Sequence, residues 1–261
     1  MSKCKVCGEE IGTNQICPIC GTKQIIKKVV EQKEEPKIEI NKPELSIFQQ
    51  IEKEKVELVQ KCVLSVVRVI KRNKTYNSVG SGWITRNNLV VTNAHVLLDQ
   101  NGQYDPNDTI TIELNENVNT LNKTLLFKIE DISLEEDVAI LSPKESKIPS
   151  CVPALEIADR ETKQGEYVFT IGNPLHYKFT YTEGVVANPH YHRDGGHFHE
   201  EILQTTLTLN NGNSGGPVFD AYGKVVGMTT FCELDSNEHE IKGYGFCVKN
   251  FTILKMIKNK D

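Results

Sequence analysis

The sequence predicts a mainly β protein: two antiparallel barrels with a C-terminal helix, preceded by a small Cys4 module and a helical linker. Three observations predict it. From Val63 onward the chain is a succession of short β-branched runs split by Asn, Gly and Asp turns, as two antiparallel barrels require. The N-terminus carries two Cys-x-x-Cys-Gly knuckles, and a Lys- and Glu-rich stretch then gives way to apolar residues at helical spacing. With 261 residues, 38% of them hydrophobic, the chain can bury one two-barrel domain and carry a small appendage.

Cys4-Lys5-Val6-Cys7-Gly8 and Cys17-Pro18-Ile19-Cys20-Gly21 leave nine residues between Cys7 and Cys17. Four thiolates at that spacing can close a tetrahedral structural zinc site. A disulfide pair and a redox Cys-x-x-Cys are the other chemistries open to these residues. A segment this short buries too little apolar surface to fold alone, so bound Zn2+ is expected to supply its folding energy. A closed Cys4 set leaves no open coordination position, which makes the expected metal structural, with no cofactor for catalysis. The segment 1–22 resembles the zinc ribbons found at the N-termini of many prokaryotic proteins, and such a ribbon implies a protein partner.

Residues 23–58 read as a charged linker and an amphipathic helix. Pro36 and Pro43 punctuate the linker. Leu45, Phe48, Ile51 or Glu52, Val56 and Val59 then recur at three- and four-residue steps opposite a Glu/Lys face, so a helix starting after Pro43 is expected to lay its stripe on the barrels, with a partner-binding helix as the alternative. At the other end, Phe251 to Ile257 reads as the closing helix.

Within the β region one segment carries chemistry. Asn210-Asn211-Gly212-Asn213-Ser214-Gly215-Gly216-Pro217 sets a serine among glycines, where backbone amides can surround a developing negative charge. Asn-Gly and Gly-Gly are also ordinary turn dipeptides. A base and an acid stand upstream. Leu89 to Leu97 is an apolar run that presents His95, a side chain able to exchange protons near neutral pH. Glu136-Asp137-Val138-Ala139-Ile140-Leu141 puts Asp137 at the mouth of an apolar strand, where a carboxylate can orient an imidazole.

Taken in order, His95, Asp137 and Ser214 resemble the triad of trypsin-like serine peptidases of the chymotrypsin fold, and within them the HtrA/Deg type. Gly80-Ser81-Gly82-Trp83-Ile84 leading to Thr92-Asn93-Ala94-His95 is similar to that family's strand before its histidine. Ile171-Gly172-Asn173-Pro174 followed by Thr182-Glu183-Gly184-Val185-Val186 resembles the start of its second barrel, and Gly243 to Val248 the strand before its last helix. The resemblance covers the chain from about Val59, so 59–261 is expected to be the peptidase domain, two six-stranded barrels of the chymotrypsin type.

The resemblance implies a serine endopeptidase acting on polypeptides: Ser214 as nucleophile, His95 as general base, Asp137 as orienter, and Gly212, Asn213 and Ser214 as the oxyanion loop. It also implies departures. Six residues before the nucleophile, where trypsin-like enzymes place an acid for basic substrates, stands Thr208; Leu209 matches the apolar pocket residue of HtrA-type enzymes and implies an aliphatic P1 residue. Asn213 replaces the aspartate that pairs with a newly cut N-terminus in trypsin zymogens. After Val248 the chain has too few residues for a PDZ domain of ordinary size. A non-catalytic binding module on a peptidase-like scaffold is the alternative reading.

Charge and patterning narrow the partners. A formal net charge of −5 gives no basic footprint for nucleic acid, and no apolar run is long enough to span a membrane. The first residues lack the apolar core of a secretory signal, so a cytoplasmic location with reduced thiols is expected. Cys62, Cys151, Cys232 and Cys247 are expected to be buried free thiols. His190, His192, His197 and His199 read as a polar surface loop, with metal binding or pH sensing as the sharper alternatives.

Overall fold

The computed structural model describes residues 2–3, 6–7, 10–12, 16, 45–73, 77–99, 101–121, 123–175, 177–192, 202–231 and 243–258. They form two compact units, Met1–Leu45 and Ser46–Asp261. In the first, strand β1 (Ser2–Lys3) pairs antiparallel with β2 (Glu10–Gly12). The stretch between them, residues 4–9, carries the first knuckle. Cys7 is exposed in its turn; Cys4, Cys17 and Cys20 lie outside the described residues.

The second unit opens with helix α1 (Ile47–Cys62). Its start is fixed by a capping box: the Ser46 hydroxyl accepts from the Gln49 amide at 3.3 Å while the Gln49 side chain accepts from the Ser46 amide at 2.9 Å. The expected stripe does not lie on the barrels along its whole length. Leu58, Val59 and Cys62 pack there, whereas Ile51 and Val56 are exposed and Phe48 is 85% exposed. The apolar packing of α1 on the domain is confined to its last turns, with Lys55 reaching Glu183 at 3.7 Å, so the apolar residues of its first turns stay in water.

The first barrel contains β3 (Val66–Arg72), β4 (Asn77–Ile84), β5 (Val90–Thr92), β6 (Thr109–Leu114), β7 (Thr124–Ser133) and β8 (Val138–Pro143), closed in the order β3-β4-β5-β8-β7-β6. The second contains β9 (Tyr167–Gly172), β10 (Thr180–Tyr191), β11 (Ile202–Thr205), β12 (Pro217–Asp220), β13 (Val225–Phe231) and β14 (Gly245–Lys249), closed in the order β10-β11-β14-β13-β12-β9. Every described pairing between these strands is antiparallel, and closure leaves no open sheet edge. Helix α2 (Asn250–Lys258) follows β14 and buries Ile253.

Three apolar clusters hold this arrangement. One fills the first barrel around Val69, Leu97, Ile112 and Leu141, and another fills the second around Val168, Leu203, Val218 and Cys247. The third joins the barrels: Trp83, Val91 and Ile140 from the first meet Phe169, Phe219 and Met228 from the second and Ile253 of α2. Phe169 and Phe219 stack at 4.8 Å. Truncating a residue such as the fully buried Trp83 would cost about 3–5 kcal/mol by cavity formation. This joint cluster fixes the position of one barrel on the other, and the candidate site lies along the same seam.

Two sequence expectations change. The histidine segment is not all loop: β10 runs through Pro189 and His190 to Tyr191, with irregular register against β11 on either side of Asn188. A bulged stretch tolerates a proline because no ladder bond is required of it. His197 and His199 lie outside the described residues. Among the cysteines, Cys62 and Cys247 are buried, but Cys151 is exposed and donates to the Asn119 carbonyl at 3.5 Å; it lies in the irregular connection between β8 and β9, where no sheet covers it. Cys232 is outside the described residues.

Candidate active site

The apolar strand β5 delivers Thr92 and Asn93 into the seam, and a 3-10 turn over His95–Leu97 then lifts His95 to the surface. Asp137 immediately precedes β8, whose pairing with β5 brings it across from His95. The His95 Nδ1 atom lies 2.8 Å from Asp137 Oδ2 and 3.0 Å from Oδ1, and the His95 amide donates to Oδ1 at 2.9 Å. The carboxylate therefore holds the imidazole by ring and backbone together, with the outer ring nitrogen facing away from it.

Asp137 is itself held. Its φ of 51° is left-handed, a region that few non-glycine residues occupy and that aspartate tolerates better than most. The buried Asn93 side-chain nitrogen steadies it by donating to the Asp137 carbonyl at 2.8 Å. Thr230, from β13, donates its hydroxyl to Asp137 Oδ2 at 2.5 Å. Neither contact is legible in the sequence, although two adjacent threonines inside an otherwise apolar strand are the available signal for a buried polar role.

Ser214 stands on the loop between β11 and β12. Its hydroxyl donates to the Thr230 carbonyl at 3.1 Å, and among the described residues it makes no bond to His95. The structure thus brings His95 and Asp137 into contact and links Ser214 to them through Thr230.

The loop's backbone is held carbonyl by carbonyl. Asn210 O accepts from Asn213 N at 3.0 Å, Asn211 O from Leu175 N at 2.7 Å, and Gly212 O from the Ser81 hydroxyl at 2.7 Å. Asn213 O accepts from Gly216 N at 2.8 Å and the Thr229 hydroxyl at 2.5 Å, and Ser214 O from Ser81 N at 2.8 Å. In a planar trans peptide the N–H points opposite the carbonyl. Pinning Asn211 O and Asn213 O on the protein side therefore turns the Gly212 and Ser214 amides the other way. Neither amide donates to any described residue. Two open donors in a loop whose backbone acceptors from Asn210 to Ser214 are engaged can receive an oxyanion.

Glycine is required at two places in this loop. Gly212 has φ +100° and a Cβ there would strike the Asn173 carbonyl; Gly215 has φ +86° and a Cβ there would strike the Ser81 carbonyl. Asn213 is buried between them, 3% exposed.

The two residues expected to line a substrate pocket differ. Thr208 is exposed, while Leu209 is 7% exposed, belongs to the apolar cluster of the second barrel and lies under Gly245, whose added Cβ would come within 2.8 Å of it. No acidic side chain stands at either position. Among the described residues no group of three or more His, Cys, Asp or Glu is placed to hold a metal ion. The arrangement offers acid–base and nucleophilic groups and two amide donors.

A trypsin-like peptidase domain model matches residues 80–228, which span β4 to β13 and all three of His95, Asp137 and Ser214. Among curated proteins, the chain is 32% identical over 187 residues to the "Probable periplasmic serine endoprotease DegP-like" of Rickettsia conorii, covering 69% of this chain and 33% of that protein. It is 30% identical over 183 residues to the serine protease HTRA1A of Danio rerio, covering 67% of this chain and again 33% of the relative. The chain thus spans about a third of the length of these relatives. Among solved structures, the HtrA-type protease AlgW with a tripeptide matches with a TM-score of 0.64 at 24% identity, covering 78% of this chain and 62% of that one. The active form of a protease from M. tuberculosis matches with a TM-score of 0.61 at 23% identity, covering 76% and 81%. These structural matches share the two-barrel fold described above.

Proposed function

The chain belongs to the trypsin-like peptidase family, and from that premise we propose that it is a serine endopeptidase of the HtrA/Deg type that cleaves polypeptides through Ser214, His95 and Asp137. One observation carries the proposal: the Gly212 and Ser214 amides stand open beside the Ser214 hydroxyl while every carbonyl from Asn210 to Ser214 is engaged elsewhere. A turn serine with a merely structural role needs no such arrangement.

In the reaction, the Ser214 hydroxyl leaves the Thr230 carbonyl, turns to the outer nitrogen of His95 and attacks a peptide carbonyl. His95 takes the proton and Asp137 stabilises the resulting imidazolium. The Gly212 and Ser214 amides receive the negative oxygen, each worth about 3 kcal/mol in sites of this kind. His95 then protonates the leaving amine, and water, activated by the same imidazole, hydrolyses the acyl-enzyme. Asn213 contributes by keeping the loop's shape.

Specificity follows from Thr208 and Leu209. With a hydroxyl where a basic P1 residue would need a carboxylate, and a leucine in the wall under Gly245, the pocket suits a small or medium aliphatic P1. Digestion of a peptide library should give cuts after Val, Ala, Leu or Ile; cuts mainly after Arg or Lys would overturn this assignment.

For the N-terminal unit the proposal is a structural zinc ribbon on Cys4, Cys7, Cys17 and Cys20 that recruits a protein partner or substrates. The β1–β2 pairing supports it, since the first knuckle lies on the chain between the two strands, as a metal-pinned hairpin requires. Metal analysis should find about one zinc per chain, lost in Cys17→Ser, with the thiolates released on chelation. A metal-free wild-type protein would overturn it.

A further inference from the structure

We infer that Ser81 is a positioning residue for the oxyanion site, its buried hydroxyl in the first barrel setting the orientation of the Gly212 peptide in the second. The inference rests on the peptidase reading above and adds a residue to it.

The donors that hold the loop fall into two sets. Asn213 N, Leu175 N, Gly216 N and the Thr229 hydroxyl come from the second barrel itself. The other two come from Ser81, on β4 across the seam: its amide donates to Ser214 O at 2.8 Å and its hydroxyl to Gly212 O at 2.7 Å. Any residue but proline at position 81 would supply the amide. The hydroxyl belongs to serine or threonine.

Its direction is set by a count of lone pairs. A hydroxyl has two acceptor positions and one proton. The Asn173 amide donates to the Ser81 Oγ at 2.9 Å and the Asn173 side-chain nitrogen donates to it at 3.1 Å, so both acceptor positions are engaged. The single proton is left for Gly212 O. Ser81 is fully buried, so water does not compete. Asn173 is fixed in turn: its side chain also donates to Val67 O at 3.2 Å and accepts from Phe179 N at 3.2 Å.

Gly212 needs this more than its neighbours do. Glycine is the residue whose backbone turns most freely, and the Gly212 amide is one of the two that must stay aimed at the oxyanion. Leu175 holds the peptide on its N-terminal side through Asn211 O, and Ser81 holds the peptide on its C-terminal side through Gly212 O. Removing the Ser81 hydroxyl leaves the second peptide held only by the bond from Asn213 N to Asn210 O, and leaves three polar atoms short of a partner: Gly212 O, Asn173 N and the Asn173 side-chain nitrogen. Substrate does not touch Ser81. Its effect should therefore appear in the transition state and not in ground-state binding.

The test compares wild type with Ser81→Ala, Ser81→Thr and Ser81→Cys, using a peptide substrate with leucine at P1 and the corresponding peptide aldehyde, whose hemiacetal places an oxyanion in the site. In Ser81→Ala, kcat should fall between about ten- and a hundred-fold, below the 10²–10³ of losing an oxyanion donor outright. KM should stay within about two-fold and aldehyde affinity should fall in step with kcat. Ser81→Thr, which keeps the hydroxyl, should recover most of the loss. If Ser81→Ala does not fold, Ser81→Cys carries the same comparison, because a thiol fills the site with a weak donor. A kcat within two-fold of wild type, or a loss shared equally by KM with aldehyde affinity retained, would overturn the inference while the peptidase reading stands. A wild-type chain that cleaves nothing and binds no aldehyde would overturn both.

Discussion

The Ser214 hydroxyl donates to the Thr230 carbonyl at 3.1 Å, while the Thr230 side chain donates to Asp137 at 2.5 Å. One residue of β13 thus touches both the candidate nucleophile and the carboxylate that holds the candidate base. In this arrangement the hydroxyl is engaged by the Thr230 carbonyl and not by His95, and staggered wells about χ1 make a change of rotamer inexpensive. Catalytic hydrogen bonds commonly tighten only when substrate is bound.

Thr230→Val tests the side-chain half of that link, since valine keeps the shape and removes only the hydroxyl. A hydrogen bond to a charged group contributes about 1.5–3 kcal/mol, so kcat/KM should fall between about ten- and a hundred-fold with KM little changed. A variant within two-fold of wild type would show that Asn93 and His95 hold Asp137 without Thr230.

The acid side of the stability profile is tied to Glu113 on β6. Burial pushes its carboxyl upward, but hydrogen bonds from Lys178 and Arg68, the latter at 3.1 Å, outweigh burial and hold it below the ordinary glutamate range. A carboxyl depressed in the folded state contributes stability that is present above its unfolded value, about 4.3, and lost as pH falls through the folded one. The melting temperature should therefore drop as pH is lowered from about 5 to about 3, and the drop should be smaller in Glu113→Gln. Equal drops in the two proteins would remove Glu113 from the acid response.

Cysteine reactivity should follow burial. Burial pushes the Cys62 thiol up to about 11 and the Cys247 thiol up to about 12, whereas Cys151 is exposed. Since the thiolate is the nucleophile, iodoacetamide at about pH 8 should modify Cys151 in the native protein and reach Cys62 and Cys247 only after denaturation. Mass mapping with Cys62 modified as fast as Cys151 would contradict the packing described around α1.

Much of this was legible in the sequence, for identifiable reasons. Alternation of β-branched runs with Asn, Gly and Asp turns is a local signal that announced the strands, the family resemblance implied their two six-stranded barrels, and the closing helix read over Phe251 to Ile257 runs over Asn250–Lys258. His95, Asp137 and Ser214 could be picked out because each sits in a short motif of its own. Ser81 and Thr230 could not, because their importance lies in atoms contributed by another barrel or another strand. Helical spacing announced α1, but spacing does not say how much of a helix reaches the domain, and Phe48 remains in water. Cys151 was misjudged because apolar neighbours in sequence do not guarantee burial outside a strand or helix.

The central claim is that Ser214 is an activated nucleophile, and the most direct measurement is covalent labelling by a fluorophosphonate probe, read by intact-protein mass and by mapping the modified peptide. Wild type should gain one adduct on Ser214, and folded Ser214→Ala should gain none. Folded wild-type protein that takes up no probe would contradict the claim and favour a binding module on a peptidase-like scaffold.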